Sequence, residues 1–310
     1  MLHILVLGAA AGGGFPQWNS NDPIARRVRA GDAKTRPRTQ SSIAVSSDRR
    51  NWVLFNASPD LRQQINQNRQ LQPTADSPLR ASPIAAVVLT NADVDHVAGL
   101  LNLRESQKFA VYGHDRVLDV LARNSIFNVL NPDFVTRRPM PLDTDLALRG
   151  GSNEDLEIRI RAFAVPGKVA LWLEDKNAKN FGTADGDTIG LEIMDEDGTS
   201  FFYIPACAQM TPELAARLCG AALVFFDGTL WRDDEMIAAC VGNKTGSRMG
   251  HMSCDGDRGS IAAFRDLKIE RKIFIHINNT NPLFVADSPE RAVAEAAGWQ
   301  IADDGMEIDL

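Results

Sequence analysis

The chain has 310 residues, of which 44% are hydrophobic and 24% are charged, and its formal net charge at pH 7 is −7. These fractions are typical of globular proteins and exclude disordered, collagen-like and coiled-coil proteins. The acidic balance argues against a nucleic-acid-binding protein, because such a protein must neutralise phosphates. No apolar run approaches the roughly 20 residues of a membrane span. The 4 cysteines form no CxxC pair, which predicts free thiols in a cytoplasmic protein.

Short apolar runs alternate with helix-like segments along the chain, as is typical of an α/β protein. The first run, Leu2–Leu7, predicts a buried strand. The glycine-rich segment 8–14 lacks the GxGxxG spacing of a nucleotide-binding loop and predicts a tight turn. Further strands are predicted at 42–45, 52–55, 84–89, 158–165, 188–194, 201–204, 222–226, 272–275 and 306–308, and helices at 60–67, 97–103, 212–219 and 288–297. We expect one domain over residues 1–310, because no long polar linker interrupts this pattern.

Side chains that can bind a metal crowd the carboxyl end of the predicted strand 84–89. Residues 90–96, which follow this strand directly, read Thr-Asn-Ala-Asp-Val-Asp-His. Two other predicted strands are followed by Asp227 and His276. Because open α/β sheets bind ligands at the carboxyl ends of their strands, we expect these side chains to converge on one metal site. Asp and Asn are also common helix caps, so any one of them alone has a purely structural explanation.

The segment 90–96 resembles a modified His-x-His-x-Asp-His motif of the metallo-β-lactamase superfamily. Asp227 and His276 lie where that superfamily has a bridging aspartate and a last histidine. Longer segments of unusual composition resemble, more specifically, the family of pyrroloquinoline quinone (PQQ) biosynthesis protein B. These segments are GAAAGGGFPQWN at 8–19, RPRTQSS at 36–42 and NASPD at 56–60. The resemblance extends over nearly the whole chain and implies an α/β fold, the αββα sandwich of the metallo-β-lactamase type.

The departures from the superfamily motif decide which metal site the resemblance implies. Its first two histidines hold one metal together with a later histidine; here they are Asn91 and Asp93, and no histidine stands near 165–168, where the later one belongs. The residues of the second metal position are retained, and they are Asp95, His96 and His276. Asp227 is either a fourth ligand or the hydrogen-bond partner of a ligand histidine. Two imidazoles and one carboxylate are typical of non-haem Fe(II) oxygenases, which predicts one Fe(II) with O₂ as co-substrate and leaves zinc as the alternative metal.

Two residues near this centre are predicted to be catalytic. Asp93 is interpreted as a ligand, a hydrogen-bond partner or a proton acceptor. His251 is predicted to act as an acid or base, or to orient the substrate; the alternative is a loop histidine with a backbone partner.

The resemblance also bears on a second metal, because the family carries a Cys-x-Cys-x-x-Cys segment typical of a structural zinc site. Residues 20, 22 and 25 are Ser, Asp and Ala at these positions. We therefore expect no structural zinc.

A basic segment offers cations for an anionic substrate. Residues 26–38 contain six Lys and Arg residues and a single Asp. Arg38 is predicted to bind a substrate carboxylate, because a guanidinium can form two parallel hydrogen bonds with it. Ser41 and Asn91 are predicted to contact the substrate as well. A solvated basic loop is the alternative interpretation of this segment.

The resemblance implies a function in making PQQ from a ribosomal precursor peptide. The expected reaction is hydroxylation of the tyrosine ring of a cross-linked Glu–Tyr intermediate, a small acidic substrate derived from amino acids. Two other functions stay open: a zinc-dependent hydrolase on the same ligands, and a non-catalytic carrier of PQQ or of an intermediate. The expected partners are other proteins of the pathway, with a homodimer as one possible assembly, and neither nucleic acid nor membrane.

Overall fold

The structure, a computed structural model, describes residues 1–170, Leu173 and 185–310. Within these residues the strands in chain order are β1 (His3–Gly8), β2 (Ser42–Ser46), β3 (Trp52–Phe55), β4 (Ile84–Val88), β5 (Phe109–Gly113), β6 (Val135–Pro139), β7 (Asp145–Arg149), β8 (Asp155–Ala164), β9 (Ile189–Asp195), β10 (Ser200–Ile204), β11 (Leu223–Asp227), β12 (Arg271–Ile275), β13 (Trp299–Ile301) and β14 (Glu307–Asp309). They form two seven-stranded sheets, with the spatial orders β14-β1-β2-β3-β4-β5-β6 and β13-β12-β11-β10-β9-β8-β7.

Short helices connect these strands. The α-helices are α1 (Pro23–Arg29), α2 (Leu61–Gln67), α3 (Val94–Val97), α4 (Asp115–Arg123), α5 (Pro212–Leu218), α6 (Glu235–Ala238), α7 (Gly246–Met249), α8 (Ser260–Ala263) and α9 (Pro289–Ala296). Turns of 3₁₀-helix lie at Arg69–Leu71, Ala98–Leu103, Ser125–Val129 and Pro282–Phe284. None of the described helices is both long and apolar enough to cross a membrane.

The two sheets pack face to face through aromatic side chains. Phe55 of β3 and Tyr203 of β10 have ring centroids 6.3 Å apart, and the ring of Tyr203 also contacts that of Phe225 in β11. A second buried cluster covers the other face of the first sheet with residues of α2, α3 and α4, including Leu61, Val97 and Leu121. Helices α5 and α9 bury side chains against the second sheet. The αββα sandwich expected from the sequence is therefore confirmed.

The strands that carry the candidate site run parallel to their neighbours. In the first sheet β3, β4 and β5 are parallel, and in the second sheet β10, β11 and β12 are parallel. Beyond the carboxyl end of β4 lie residues 90–96, Asp227 is the last residue of β11, and His276 follows β12 directly. The two sheets deliver these residues to one edge of the sandwich, as the strand endings predicted.

Some elements differ from the prediction. The helix expected at 97–103 begins earlier, at Val94, and continues as the 3₁₀-helix Ala98–Leu103. The sequence analysis did not identify the strands β5, β6, β7 and β13 or the helices α1, α4, α6, α7 and α8. Strands β6 and β7 are edge strands whose charged residues interrupt the apolar pattern that identified the central strands. The basic segment is not simply a loop, since its first residues belong to α1, which Asp22 caps.

Candidate metal centre

Asp95, His96 and His276 come together at the edge of the sandwich. Nε2 of His276 lies 3.0 Å from Oδ2 of Asp95, and Nε2 of His96 lies 4.0 Å from the same oxygen. One potential ligand atom from each residue falls within 4.8 Å of the others. The predicted convergence of two imidazoles and one carboxylate is therefore present in the structure.

Asn91 fixes the orientation of the His96 ring. Oδ1 of Asn91 lies 2.7 Å from Nδ1 of His96 and also accepts the backbone N–H of Asp93. Because this oxygen can only accept, Nδ1 of His96 carries the hydrogen and Nε2 keeps its lone pair. That Nε2 is buried and has no hydrogen-bond partner among the described residues. A buried nitrogen lone pair directed toward a carboxylate fits a metal ion bound between them.

The protonation states of His96 and Asp95 also suit a metal. Burial lowers the pKa of His96 to about 4, despite the opposing charge of Asp95, so the ring is neutral near pH 7. Burial disfavours the charged form of Asp95, but the neighbouring imidazoles of His96 and His276 hold its pKa below the usual range. Burial opposes the charged form of His276, but the hydrogen bond and charge of Asp95 raise its pKa, so a metal must displace the proton between Nε2 and Asp95. Neutral imidazole and ionised carboxylate are the forms that bind metals, and His96 and Asp95 already have them.

His276 has an uncommon backbone conformation for a residue with a side chain. Its φ is +59°, in the left-handed region. Main-chain bonds hold this turn on both sides, from Gly228 N–H to the carbonyl of Ile275 and from Ile277 N–H to the carbonyl of Ala9. Such a conformation costs on the order of 1–3 kcal/mol and persists only where the surroundings impose it. The strained turn places the imidazole of His276 against Asp95.

Asp227 lies with His251 and His276 instead of with Asp95 and His96. Its Oδ2 is 2.7 Å from Nδ1 of His251, and its Oδ1 accepts the hydroxyl of Thr229 at 2.6 Å. Burial opposes its ionisation, but the neighbouring His251 and its hydrogen bond hold the pKa of Asp227 below the ordinary value. Of the two roles considered for Asp227, this geometry favours the hydrogen-bond partner over the fourth ligand.

A cavity of about 420 Å³ opens over this centre. The predicted catalytic residues Asp93 and His251 line it, together with Asn91. Its lining also includes Lys168 and Lys244 and the residues Gln17, Thr188, Thr229 and Met236. Nζ of Lys168 lies 3.7 Å from Oδ2 of Asp93. The sequence analysis missed both lysines and Thr229, although Lys168 stands where the superfamily's later histidine was sought and Thr229 follows Asp227 by two residues.

The structure places Arg38 and Ser41 outside this cavity. Arg38 lines a separate pocket, where its guanidinium lies 3.0 Å from Asp303 and over the ring of Phe284. Ser41 is buried in the core, with 1% of its surface exposed. Nearby cations are also paired, as Arg27 is with Asp32 at 2.6 Å. Neither residue lines the cavity over Asp95, and that Arg38 and Ser41 bind the substrate stays a prediction.

Residues 20–25, where the family has its cysteines, are held in place by hydrogen bonds. Oδ1 of Asp22 accepts the N–H groups of Ile24 and Ala25 and thereby caps α1. Oδ2 of Asp22 accepts from the hydroxyl of Ser20 and, at 2.7 Å, from the side-chain amide of Asn279. This links the amino-terminal segment to the loop that follows His276.

Comparisons with known proteins agree with this architecture. A family profile described as "Beta-lactamase superfamily domain" matches residues 51–277. Two curated relatives are named "Coenzyme PQQ synthesis protein B". The relative from Xanthomonas campestris pv. campestris (strain B100) is 51% identical over 309 residues and covers 100% of both chains. The relative from Gluconacetobacter diazotrophicus is 54% identical over 308 residues and covers 99% of both chains.

Solved structures extend the comparison. The crystal structure of Zn(2+)-bound PqqB from Methylobacterium extorquens is 49% identical, has a TM-score of 0.94 and covers 99% of this chain and 100% of that one. A diphosphatase from the PhnP family is 17% identical with a TM-score of 0.68, covers 100% of this chain and 98% of that one, and shows a shared fold alone. The chain therefore belongs to the coenzyme PQQ synthesis protein B family of the metallo-β-lactamase superfamily.

Proposed function

We propose that this protein is a mononuclear non-haem Fe(II) hydroxylase of PQQ biosynthesis, which uses O₂ to hydroxylate the tyrosine ring of a cross-linked Glu–Tyr intermediate. The observation that carries the proposal is the convergence of Asp95, His96 and His276 on one cavity, with a buried and unpartnered nitrogen on His96. Such a set leaves one side of a metal open for O₂ and substrate. The names of the relatives support the pathway.

The neighbouring positions support one metal instead of two. A dinuclear hydrolase needs ligands at both positions, because its two metals together activate and stabilise the reacting oxygens. Here Asn91 bonds the ring of His96, and Asp93 lies beside the ammonium of Lys168. A bound Fe(II) supplies the redox chemistry that brings O₂ to react with an organic substrate.

The protein's own residues hold the substrate and move protons. Nδ1 of His251 donates to Asp227, so in the neutral ring Nε2 has the lone pair and can accept the phenolic proton of a tyrosine in the cavity that His251 lines. Asp93 is the second proton acceptor, since its partly exposed carboxylate lines the same cavity. Lys168 and Lys244 supply positive charge for the substrate's carboxylates, in the place first assigned to Arg38.

Hydroxylation inserts one oxygen atom of O₂ into a ring C–H bond and releases the other as water, which consumes two electrons and two protons from a reductant. The test is therefore to load metal-free protein with Fe(II) or with Zn²⁺ and to supply a cross-linked Glu–Tyr compound, O₂ and ascorbate. We expect the Fe(II) protein to consume O₂ and to add one oxygen to the phenol ring, as seen by mass spectrometry.

A zinc-dependent hydrolase is the second candidate, favoured by the zinc bound to the related protein from Methylobacterium extorquens. Phosphodiesters and lactams serve as its test substrates under the same two metal loadings. Turnover of these by the Zn²⁺ form, with no O₂ consumption by the Fe(II) form, would replace the hydroxylase proposal. Fold alone does not decide between them, because one fold hosts unrelated reactions.

A further inference from the structure

We propose that Thr229 is a positioning residue that connects Asp227 to His276 and determines which ring nitrogen of His276 faces the metal. The inference rests on the proposed metal centre. It does not depend on whether the bound metal supports hydroxylation or hydrolysis. Thr229 is 4% exposed and lies between the two groups that it joins.

The first step is that Asp227 is saturated with hydrogen-bond donors. Its Oδ2 receives the backbone N–H of Cys207 at 2.9 Å and Nδ1 of His251 at 2.7 Å. Its Oδ1 receives the backbone N–H of Thr229 at 3.0 Å and the hydroxyl of Thr229 at 2.6 Å. A carboxylate has about four lone-pair positions, so these four contacts occupy the acceptor capacity of Asp227. In this arrangement Asp227 acts through hydrogen bonds, one of them from His251. Together with His251 and His276 it also forms a second group close enough to hold a metal.

The second step follows from the single proton of a hydroxyl. The hydroxyl of Thr229 lies 2.6 Å from Oδ1 of Asp227 and 2.9 Å from the carbonyl oxygen of His276. Both oxygens can only accept, so they take the single proton, which goes to Asp227 in the shorter contact, and Oγ1 can only accept from other partners. Nδ1 of His276 lies 2.8 Å from this oxygen, so that nitrogen is the donor and carries the hydrogen. Nδ1 of His251 lies farther from Oγ1, at 3.1 Å, and has its shorter contact with Asp227. The hydrogen-bond chain thus runs from His276 through Thr229 to Asp227.

The third step concerns the other nitrogen of His276. With a hydrogen held on Nδ1, Nε2 is the nitrogen left for the metal; it lies 3.0 Å from Oδ2 of Asp95, and a metal would replace the proton that these two atoms share. A hydrogen bond to the far nitrogen of a ligand histidine fixes both its tautomer and its ring orientation. Asp227 therefore orients two histidines, His251 directly and His276 through the hydroxyl of Thr229.

The test compares Thr229→Val, which keeps the shape but lacks the hydroxyl, with Thr229→Ser, which keeps the hydroxyl. Thr188→Val is the matched control, because Thr188 lines the same cavity but its hydroxyl bonds the carbonyl of Lys168 instead of a histidine. Affinity for Zn²⁺ and Co²⁺ is measured by competition with a chromophoric chelator, and folding by circular dichroism. We expect Thr229→Val to bind about 10–100-fold more weakly with an altered Co²⁺ absorption spectrum, while Thr229→Ser stays within about threefold of the parent.

Two outcomes would overturn the proposal. One is an unchanged affinity and spectrum in folded Thr229→Val; the other is equal weakening in the Ser and Val variants, which would indicate a packing role. A second measurement needs no variant: ¹⁵N NMR of the Zn²⁺-loaded protein should show the hydrogen of His276 on Nδ1, and a hydrogen on Nε2 would refute the inference. Neither measurement uses substrate or O₂, so failure of the hydroxylase assay leaves these results interpretable.

Discussion

The candidate site has two halves that share the segment after β4, with His276 added from the end of β12, yet they have different chemistry. The half formed by Asp95, His96 and His276 keeps a donor set that fits a metal. In the other half, Asn91 and Asp93 stand where the superfamily motif has histidines. Asn91 is bonded to His96, and Asp93 lies 3.7 Å from the ammonium of Lys168. The comparison teaches that the replaced half has a structural role, because Asn91 orients a candidate ligand of the retained half and Asp93 lies beside the ammonium of Lys168.

The largest expected effect is the difference in metal affinity between variants of two aspartates, Asp93 and Asp95, which are two residues apart. Asp95→Ala removes a ligand, and we expect metal affinity to fall at least 100-fold, with loss of activity. Asp93→Ala removes a neighbour of Lys168, so we expect metal affinity within about tenfold of the parent but slower hydroxylation. Metal content after dialysis and chelator competition measure the first effect, and turnover of the Fe(II) form measures the second.

The contrast between the two halves would fail if both variants lost metal to the same extent. Equal loss of metal in Asp93→Ala and Asp95→Ala would mean that Asp93 is itself a ligand. Two equivalents of tightly held metal in the parent protein would mean that the replaced half still binds a metal.

A smaller effect is expected where the two halves touch. Asn91→Leu removes the oxygen that accepts from Nδ1 of His96. The ring of His96 can then move its hydrogen to Nε2, so metal affinity should fall about 10–100-fold. Asn91→Asp retains an acceptor oxygen and should bind metal more tightly than the Leu variant. Chelator competition compares the three proteins, and Asn91→Leu with the parent's affinity would show that the hydrogen bond is unnecessary.

Much of this arrangement was predictable because it depends on strand endings. Continuous apolar runs identified β4, β11 and β12, and the polar residues beside them, including Asp95 and His276, identified the candidate ligands. Arg38 was predicted to bind substrate because it is a cation in a basic segment, but its partner Asp303 is 265 residues away in the sequence. Contacts of this kind depend on tertiary packing, which local patterns do not contain.

Thr229, in the retained half, could not be predicted from the sequence for the same reason. The hydroxyl contacts a residue two positions earlier and another 47 positions later. The parallel pairing of β11 with β12 brings these residues together. A threonine after a strand carries no sequence signal for such a link, whereas an aspartate or histidine at that place does.

The smallest expected effect is a loss of stability at the amino-terminal segment. Asp22 occupies one of the positions where the family has cysteines, and it holds this segment through hydrogen bonds. Asp22→Ala removes the cap of α1 and the bond to Asn279, which should cost about 1–2 kcal/mol of unfolding free energy at pH 7. The control is Ser288→Ala, which removes the cap of α9 without removing an ionisable group.

The two caps should respond differently to pH. Burial alone would raise the pKa of Asp22, but bonds from Ser20, Ala25 and Asn279 hold it below its unfolded value of 3.8. Its ionised form therefore stabilises the fold above about pH 4, and this contribution is lost as the pH falls through the lower folded pKa. Urea unfolding at pH 7 and near pH 3 should show the Asp22→Ala difference shrinking while the Ser288→Ala difference stays constant. If both differences change in parallel, the carboxylate of Asp22 is not what holds this segment to the loop after His276.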